Sequence, residues 1–244
     1  MAAVVQAAER TMPSSVAFGV AALNLRTGDF AAGRDGGRQF YSASLVKLIV
    51  VVDMLDRRRL EGRPISESDL RLVGRALSFS DDGAMNVLWG KFDGQGAIGR
   101  VAGRIGLTAT RAPGDSSQWG ETLITAGDFV RIYGHVLVDM PPEDQAVIVN
   151  ALAAAGHTAT DGFDQFFGLL GQGASPQLYA KQGWVSYRPA RLFLHSAGVV
   201  HDDRTNADYA IALLSIQNSG NKQAARDRLS AVASAAIETI RKAP

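Results

Sequence analysis

Tyr41-Ser42-Ala43-Ser44-Leu45-Val46-Lys47-Leu48-Ile49-Val50-Val51-Val52 joins a short polar loop to an apolar run that continues to Leu60. Leu45, Val46, Leu48, Ile49, Val50, Val51 and Val52 surround the first turns on every side, which predicts a buried core helix. Lys47 and Asp53 interrupt the run, and it is shorter than the roughly 18 apolar residues of a membrane span. Ser44 stands where the loop enters the helix, with Lys47 one turn later on the same face. Free N–H groups at a helix N-terminus favour negative charge developing near the serine. A partly buried lysine beside it loses its proton more readily and can serve as a general base. Alone, the pair is better read as a serine N-cap followed by a snorkelling lysine. A Ser and a Lys three apart arise by chance about once in a few hundred residues.

Before this stretch, Val16 to Leu25 is β-rich, and the turn Thr27-Gly28-Asp29 leads to Phe30-Ala31-Ala32, which predicts a hairpin. After it, Ser66-Glu67-Ser68-Asp69 caps a helix running to about Leu77. Further helices fit Gly83 to Phe92, Gly96 to Ile105, Thr125 to Val138 and Glu143 to Ala155, the last introduced by Pro141-Pro142. Leu107 to Thr125 is irregular, with Pro113-Gly114 and Trp119-Gly120. Strands are expected at Leu178 to Ala180, Leu192 to Val200 and Tyr209 to Ile216, and an Ala-rich helix closes the chain from Asn221 to Ile240. The class is α/β of the α+β kind: an antiparallel sheet built from both chain ends, flanked by helices, with a helical lobe. No repeat or long linker divides the sequence. It reads as one domain over residues 1–244, with a sheet lobe at about 1–43 and 178–244 and a helical lobe at about 44–177.

With 46% hydrophobic and 20% charged residues in 244, a sizeable packed core is expected and disorder is excluded as the main state. Lys plus Arg number 25 against 24 Asp plus Glu, so nothing in the net charge of +1 draws the chain to nucleic acid or to anionic membranes. The absence of cysteine excludes disulfides, a thiol nucleophile and thiolate metal sites. Met1 to Arg10 has no basic stretch leading into an apolar one, so no export signal is visible, and no transmembrane segment is expected. His135, His157, His195 and His201 show no metal-ligand spacing, so neither a metal nor another cofactor is expected. No G-x-S-x-G occurs. Gly94-Gln95-Gly96 approximates a phosphate fingerprint, but no strand precedes it, and it reads as a turn opening a helix.

Two more short stretches change the weight of Ser44 and Lys47. Ser80-Asp81-Asp82 falls between two expected helices, and Lys181-Gln182-Gly183 lies on the first of the C-terminal strands. Singly, Ser80 and Asp82 read as an N-cap with a first-turn carboxylate, and Lys181 as a solvated charge on an edge strand. Their joint occurrence in this order, using two of the chain's five lysines, is not explained that way. The set resembles the S-x-x-K, S-D-N and K-T-G triplet of the penicillin-recognising serine enzymes, the class A β-lactamases and D-Ala-D-Ala peptidases. Val16 to Phe40 is similar to that family's opening hairpin and Ser186 to Asn218 to its closing strands, so the resemblance covers nearly the whole chain.

The resemblance implies that Ser44 is the acylated nucleophile and Lys47 its proton acceptor. Ser80 would pass the proton to the leaving nitrogen, while Lys181 holds Ser80 and a substrate carboxylate. The backbone N–H groups of Ser44 and Trp184 would form the oxyanion hole. Asp82, Gln182 and Gly183 fall at substrate-binding positions. It also implies export to the cell envelope, and a cell-wall peptide or a small amide or ester as ligand. Three departures are visible. Asp82 replaces an Asn, so an amide donor becomes an anionic acceptor. Gln182 replaces Thr or Ser and adds bulk beside the carboxylate site. The segment from Leu107 to Thr125 stands in the place of the family's Ω-loop, is short, and lacks its E-x-x-L-N glutamate; Glu121 is its only glutamate and reads as a first-turn residue of the next helix. The stretch from Lys47 to Ser80 is also short, which implies a trimmed cleft wall. An ionised Asp82 near Lys47 is expected to raise the lysine pKa and weaken it as a base.

Two functions therefore stand open. One is a divergent serine hydrolase or acyltransferase forming a slow acyl-enzyme at Ser44; the other is a catalytically degenerate envelope module of the same fold that binds peptidoglycan or a protein partner. In either case Ser44, Lys47, Ser80 and Lys181 should converge in one cleft between sheet and helical lobe.

Overall fold

Strand alternation organises the molecule. The computed structural model describes residues 1–187 and 190–242. Five strands, β1 (Ala17–Asn24), β2 (Phe30–Ala32), β5 (Leu178–Tyr187), β6 (Arg191–Asp202) and β7 (Ala207–Asn218), form one antiparallel sheet in the order β2-β1-β7-β6-β5. β1 pairs with β7 from Ala17 opposite Ile216 to Asn24 opposite Tyr209, so the two chain ends meet inside the sheet, as expected. Within the expected stretch from Ser186 to Asn218, positions 188 and 189 lie outside the described residues. Because successive side chains point to opposite faces, Leu192 and Leu194 of β6 enter one core while Phe193, Ala197 and Val199 enter the other. The inner strands are buried on both faces.

Helix α1 (Ala2–Thr11) and the long C-terminal α8 (Lys222–Lys242) cover one face. No helix is expected at Met1 to Arg10 from the reading above. The structure places Val4, Val5 and Ala8 there on a single buried stripe, with Leu229, Val232 and Ala236 of α8 in the same core. The other face carries the helical layer: α2 (Val46–Glu61), α3 (Glu67–Ser78), α4 (Asp82–Lys91), α5 (Gly94–Ile105), α6 (Ala126–Gly134) and α7 (Pro142–Ala153). Ser66 and Asp69 make a reciprocal capping box at the start of α3. α6 stops at Gly134, short of the expected Val138, where the backbone loosens into a π-turn over His135–Asp139. The irregular segment contains one unforeseen piece of order: β4 (Leu123–Ile124) pairs with β3 (Phe40–Tyr41), tying it to the loop ahead of Ser44.

α2 is buried over most of its length, and this explains Asp53. Its carboxylate, with no exposed surface, accepts from Arg100 Nη2 of α5 at 2.7 Å and from Arg100 Nε at 3.1 Å. One turn on, Asp56 accepts from Arg104 at 2.7 Å and sits 3.0 Å from His135 Nε2. The polar residues in an otherwise apolar helix are therefore its ties to α5 and the π-turn. Removing a single partner strands a buried carboxylate. Arg100→Ala is expected to cost about 3 kcal/mol, the low end for a broken buried pair, because Arg104 remains 3.9 Å from Asp53. Urea unfolding checks this; a change under about 0.5 kcal/mol, the usual size for a neutral surface substitution, would refute the pairing's structural weight.

Candidate active site

A 3-10 turn over Ala43–Leu45 delivers Ser44 to the start of α2. Ala43 takes a left-handed backbone, φ 47°, that a residue with a Cβ adopts only under constraint. Ser80 is held the same way at φ 52°, immediately before Asp81, whose carboxylate caps α4 by accepting from the Ala84 N–H at 2.9 Å. The cap is therefore Asp81, and Ser80 is left to turn both its carbonyl and its hydroxyl toward Lys47.

Lys47 is fully buried, and its three N–H donors are all used. Nζ donates to Ser44 Oγ at 2.8 Å, to the Ser80 carbonyl at 2.7 Å and to Asp82 Oδ1 at 2.6 Å, with Ser80 Oγ at 3.3 Å. From the sheet side Lys181, equally buried, donates to Ser80 Oγ at 2.9 Å and to the Gln182 carbonyl at 2.9 Å. The four expected side chains are thus within hydrogen-bond reach of one another. A solvated edge-strand charge does not describe Lys181.

Burial sets the electrostatics. It pulls the Lys47 pKa below the usual lysine value and outweighs the Asp82 carboxylate, which pushes the other way. This corrects the expectation that Asp82 would leave Lys47 raised overall: the direction of its effect is as expected, but it is the smaller one. Lys181 is driven well below the ordinary value, first by burial and then by the charge on Lys47.

The C-terminal triplet divides. Gly183 faces the Ser44 turn so closely that a Cβ would stand 2.9 Å from the Ser42 carbonyl and 3.3 Å from Leu45 N, so the sheet edge meets the helix here only without a side chain. Trp184 follows and lines the cleft with Ser44. Gln182 does not. Its buried amide donates to the Gln165 carbonyl at 3.0 Å and to that of Phe167, so it binds β5 to the preceding loop and adds no bulk to the cleft. The expectation that it crowds a ligand is corrected accordingly.

The cleft, about 300 Å³, also holds groups the sequence did not single out. Asn86 lies four residues after Asp82 on α4, hence on the same face, and accepts from Trp119 Nε1 at 2.8 Å. Asp161 accepts from Trp184 Nε1 at 2.9 Å, and the Trp184 ring stacks on Phe163 at 4.7 Å. Glu121 is not in the first turn of α6. It belongs to a 3-10 turn over Trp119–Glu121 on the cleft wall and accepts from the Tyr187 hydroxyl at 3.0 Å. Helical spacing from Asp82 is the signal that could have found Asn86; nothing local marks Asp161, which arrives from a loop far along the chain. Among the described residues no group of three His, Asp or Glu side chains is placed to hold a metal ion.

No family model matches the chain. A protein named "Putative lipoprotein LppW" from Mycobacterium tuberculosis is 29% identical over 216 residues, covering 87% of this chain and 67% of its own length. The fold matches solved structures across nearly the full chain. The TLA-3 extended-spectrum β-lactamase superposes with a TM-score of 0.82 at 11% identity, covering 98% of both chains. A class A β-lactamase representative from Bacteroides cellulosilyticus gives 0.80 at 14% identity, covering 98% of this chain and 99% of its own. The chain has the class A β-lactamase-like fold, in a sequence far diverged from those enzymes.

Because Asp82 is the main carboxylate holding Lys47 in its charged form, Asp82→Asn should lower the Lys47 pKa further. With five lysines in the chain, titration of ¹³Cε-labelled lysine by NMR resolves it. The wild-type signal should titrate below the ordinary value near 10.5 and the variant lower still; an upward move would overturn the electrostatic assignment.

Proposed function

We propose that the whole chain acts as one domain, a divergent serine hydrolase or acyltransferase of the β-lactamase and D-Ala-D-Ala-peptidase type, that becomes acylated on Ser44. Its substrate is a cell-wall peptide or a small amide or ester, and its place is the cell envelope. The observation that carries the reading is Lys47 Nζ 2.8 Å from Ser44 Oγ, buried so that its proton affinity is reduced. The relative named as a lipoprotein supports the location.

In this reading neutral Lys47 takes the hydroxyl proton as Ser44 Oγ attacks the carbonyl carbon. The oxyanion is received by the backbone N–H groups of Ser44 and Trp184, which the close approach at Gly183 brings to one cleft. Ser80, bonded to both lysines, relays the proton to the leaving group as the carbonyl–leaving-group bond breaks. Lys181 fixes the Ser80 hydroxyl by donating to it, so Ser80 offers its own proton outward.

One observation favours the binding-module alternative. Asp82, at 2.6 Å, favours the charged form of Lys47, and in that form the lysine must lose a proton before it can accept one. Acylation should therefore be slow. Release should be slow too, because Glu121, the one glutamate among the described cleft-lining residues, is engaged by Tyr187 rather than directed at a water beside Ser44.

Intact-mass labelling with β-lactams and acyl esters checks both points. A long-lived adduct is expected, absent in Ser44→Ala. Asp82→Asn should form it about tenfold faster, the scale of one buried hydrogen bond regained together with a lysine that deprotonates more readily. Fast multiple turnover of a chromogenic cephalosporin would contradict the slow release. If neither the wild type nor folded Asp82→Asn is labelled by any reagent, the binding module becomes the better reading.

A further inference from the structure

We propose that the cleft selects a substrate bearing a positively charged group, an ammonium or guanidinium, in place of a carboxylate. This rests on the acyl-transfer reading of Ser44 and names its substrate class.

An entering ligand can touch only some of the charges around Ser44. Three carboxylates line the cleft, from Asp82, Glu121 and Asp161. Asp82 is 63% exposed even though it pairs with Lys47. The other two are fixed by neutral donors: Glu121 by the Tyr187 hydroxyl and Asp161 by the Trp184 indole N–H. Among the described residues neither has a cation within salt-bridge distance; Asp161 acts on Lys47 and Lys181 only at longer range, so neither carboxylate is closed into an ion pair. The two lysines of the site have no exposed surface and spend their donors on Ser44, Ser80, Asp82 and the Gln182 carbonyl. Among the described residues no arginine lines the cleft.

The indoles are engaged from the protein side. Lys47 Nζ lies 5.0 Å from the centre of the Trp119 ring, Lys181 Nζ lies 5.9 Å from that of Trp184, and the Trp184 ring also stacks on Phe163, so the carboxylates supply the charge that an entering ligand meets. Gln182, turned to Gln165 and Phe167, offers no hydroxyl to a ligand carboxylate. Among the described lining residues an anion would meet three carboxylates and no exposed cation. A cationic group would meet Glu121 and Asp161 while its reactive carbonyl reached Ser44.

The test uses three p-nitrophenyl esters of matched shape, ending in trimethylammonium, tert-butyl or carboxylate. In each, the Ser44 Oγ–acyl bond forms as the carbonyl–aryloxide bond breaks. p-Nitrophenolate leaves, and the serine proton passes to Lys47 and on to solvent. The cationic ester should acylate Ser44 about tenfold faster than its neutral isostere, with the carboxylate slowest. Added salt should shrink that advantage, as should Glu121→Gln and Asp161→Asn. Equal rates, or a preference for the carboxylate, with Ser44 labelled would overturn the charge selectivity and leave acyl transfer standing. If no ester labels Ser44, tryptophan fluorescence of Ser44→Ala decides with phenyltrimethylammonium against benzoate. Saturable binding of the ammonium alone keeps the selectivity and removes acyl transfer; binding of neither, or of benzoate alone, removes the selectivity as well.

Discussion

Two lysines without exposed surface reach one serine hydroxyl from opposite directions, and the site depends on that shared contact. Lys47 comes from a helix buried on all sides and Lys181 from the edge of the sheet, so Ser80 is where the two layers are held in register. Two like charges so close and so dry repel each other and are poorly solvated. The structure offsets this with acceptors: a carbonyl and a carboxylate for one, a carbonyl for the other, and serine oxygens for both. The left-handed backbones at Ala43 and Ser80 are the local strain that accompanies the arrangement.

Most of the architecture was legible because it rests on periodic signals. The apolar run after Ser44, the capping residues at Ser66 and the β-rich segments at the two chain ends each declare their element through a local pattern. α1 was not legible, because Val4, Val5 and Ala8 make only a short stripe, which becomes a buried face once α8 lies against it. The end of α6 was overrun because His135 and Val136 continue its buried face through the π-turn.

Four side chains that converge in the candidate site were legible, and its walls were not. Ser44 and Lys47 share a helix face by their spacing, and Ser80 and Lys181 were reached through the resemblance to the family's triplet. Gln182 misled because position along a strand does not reveal which face a side chain takes until the register is known; Gln165 and Phe167 settle it. Glu121 and Asp161 were out of reach for a related reason. Each lies in a segment without repeating geometry, and each is placed by one hydrogen bond to an aromatic side chain distant in sequence. Lys47 shows a different limit. The sign of the influence of Asp82 follows from charge alone, but only the depth of burial decides which effect prevails.

The pairing of β1 with β7 also governs the order in which the protein can come into being. Ala17 finds its neighbour only at Ile216, so the edge of β1 that faces β7 stays open until that distant strand has been made. The helices between can form earlier from local contacts, but the strand carrying Lys181 belongs to the last third. Closing so large a loop makes folding slow and leaves an open strand edge while it lasts. The nascent chain therefore passes through a long stage in which α2 exists with its lysine and lacks the sheet edge that would seal it.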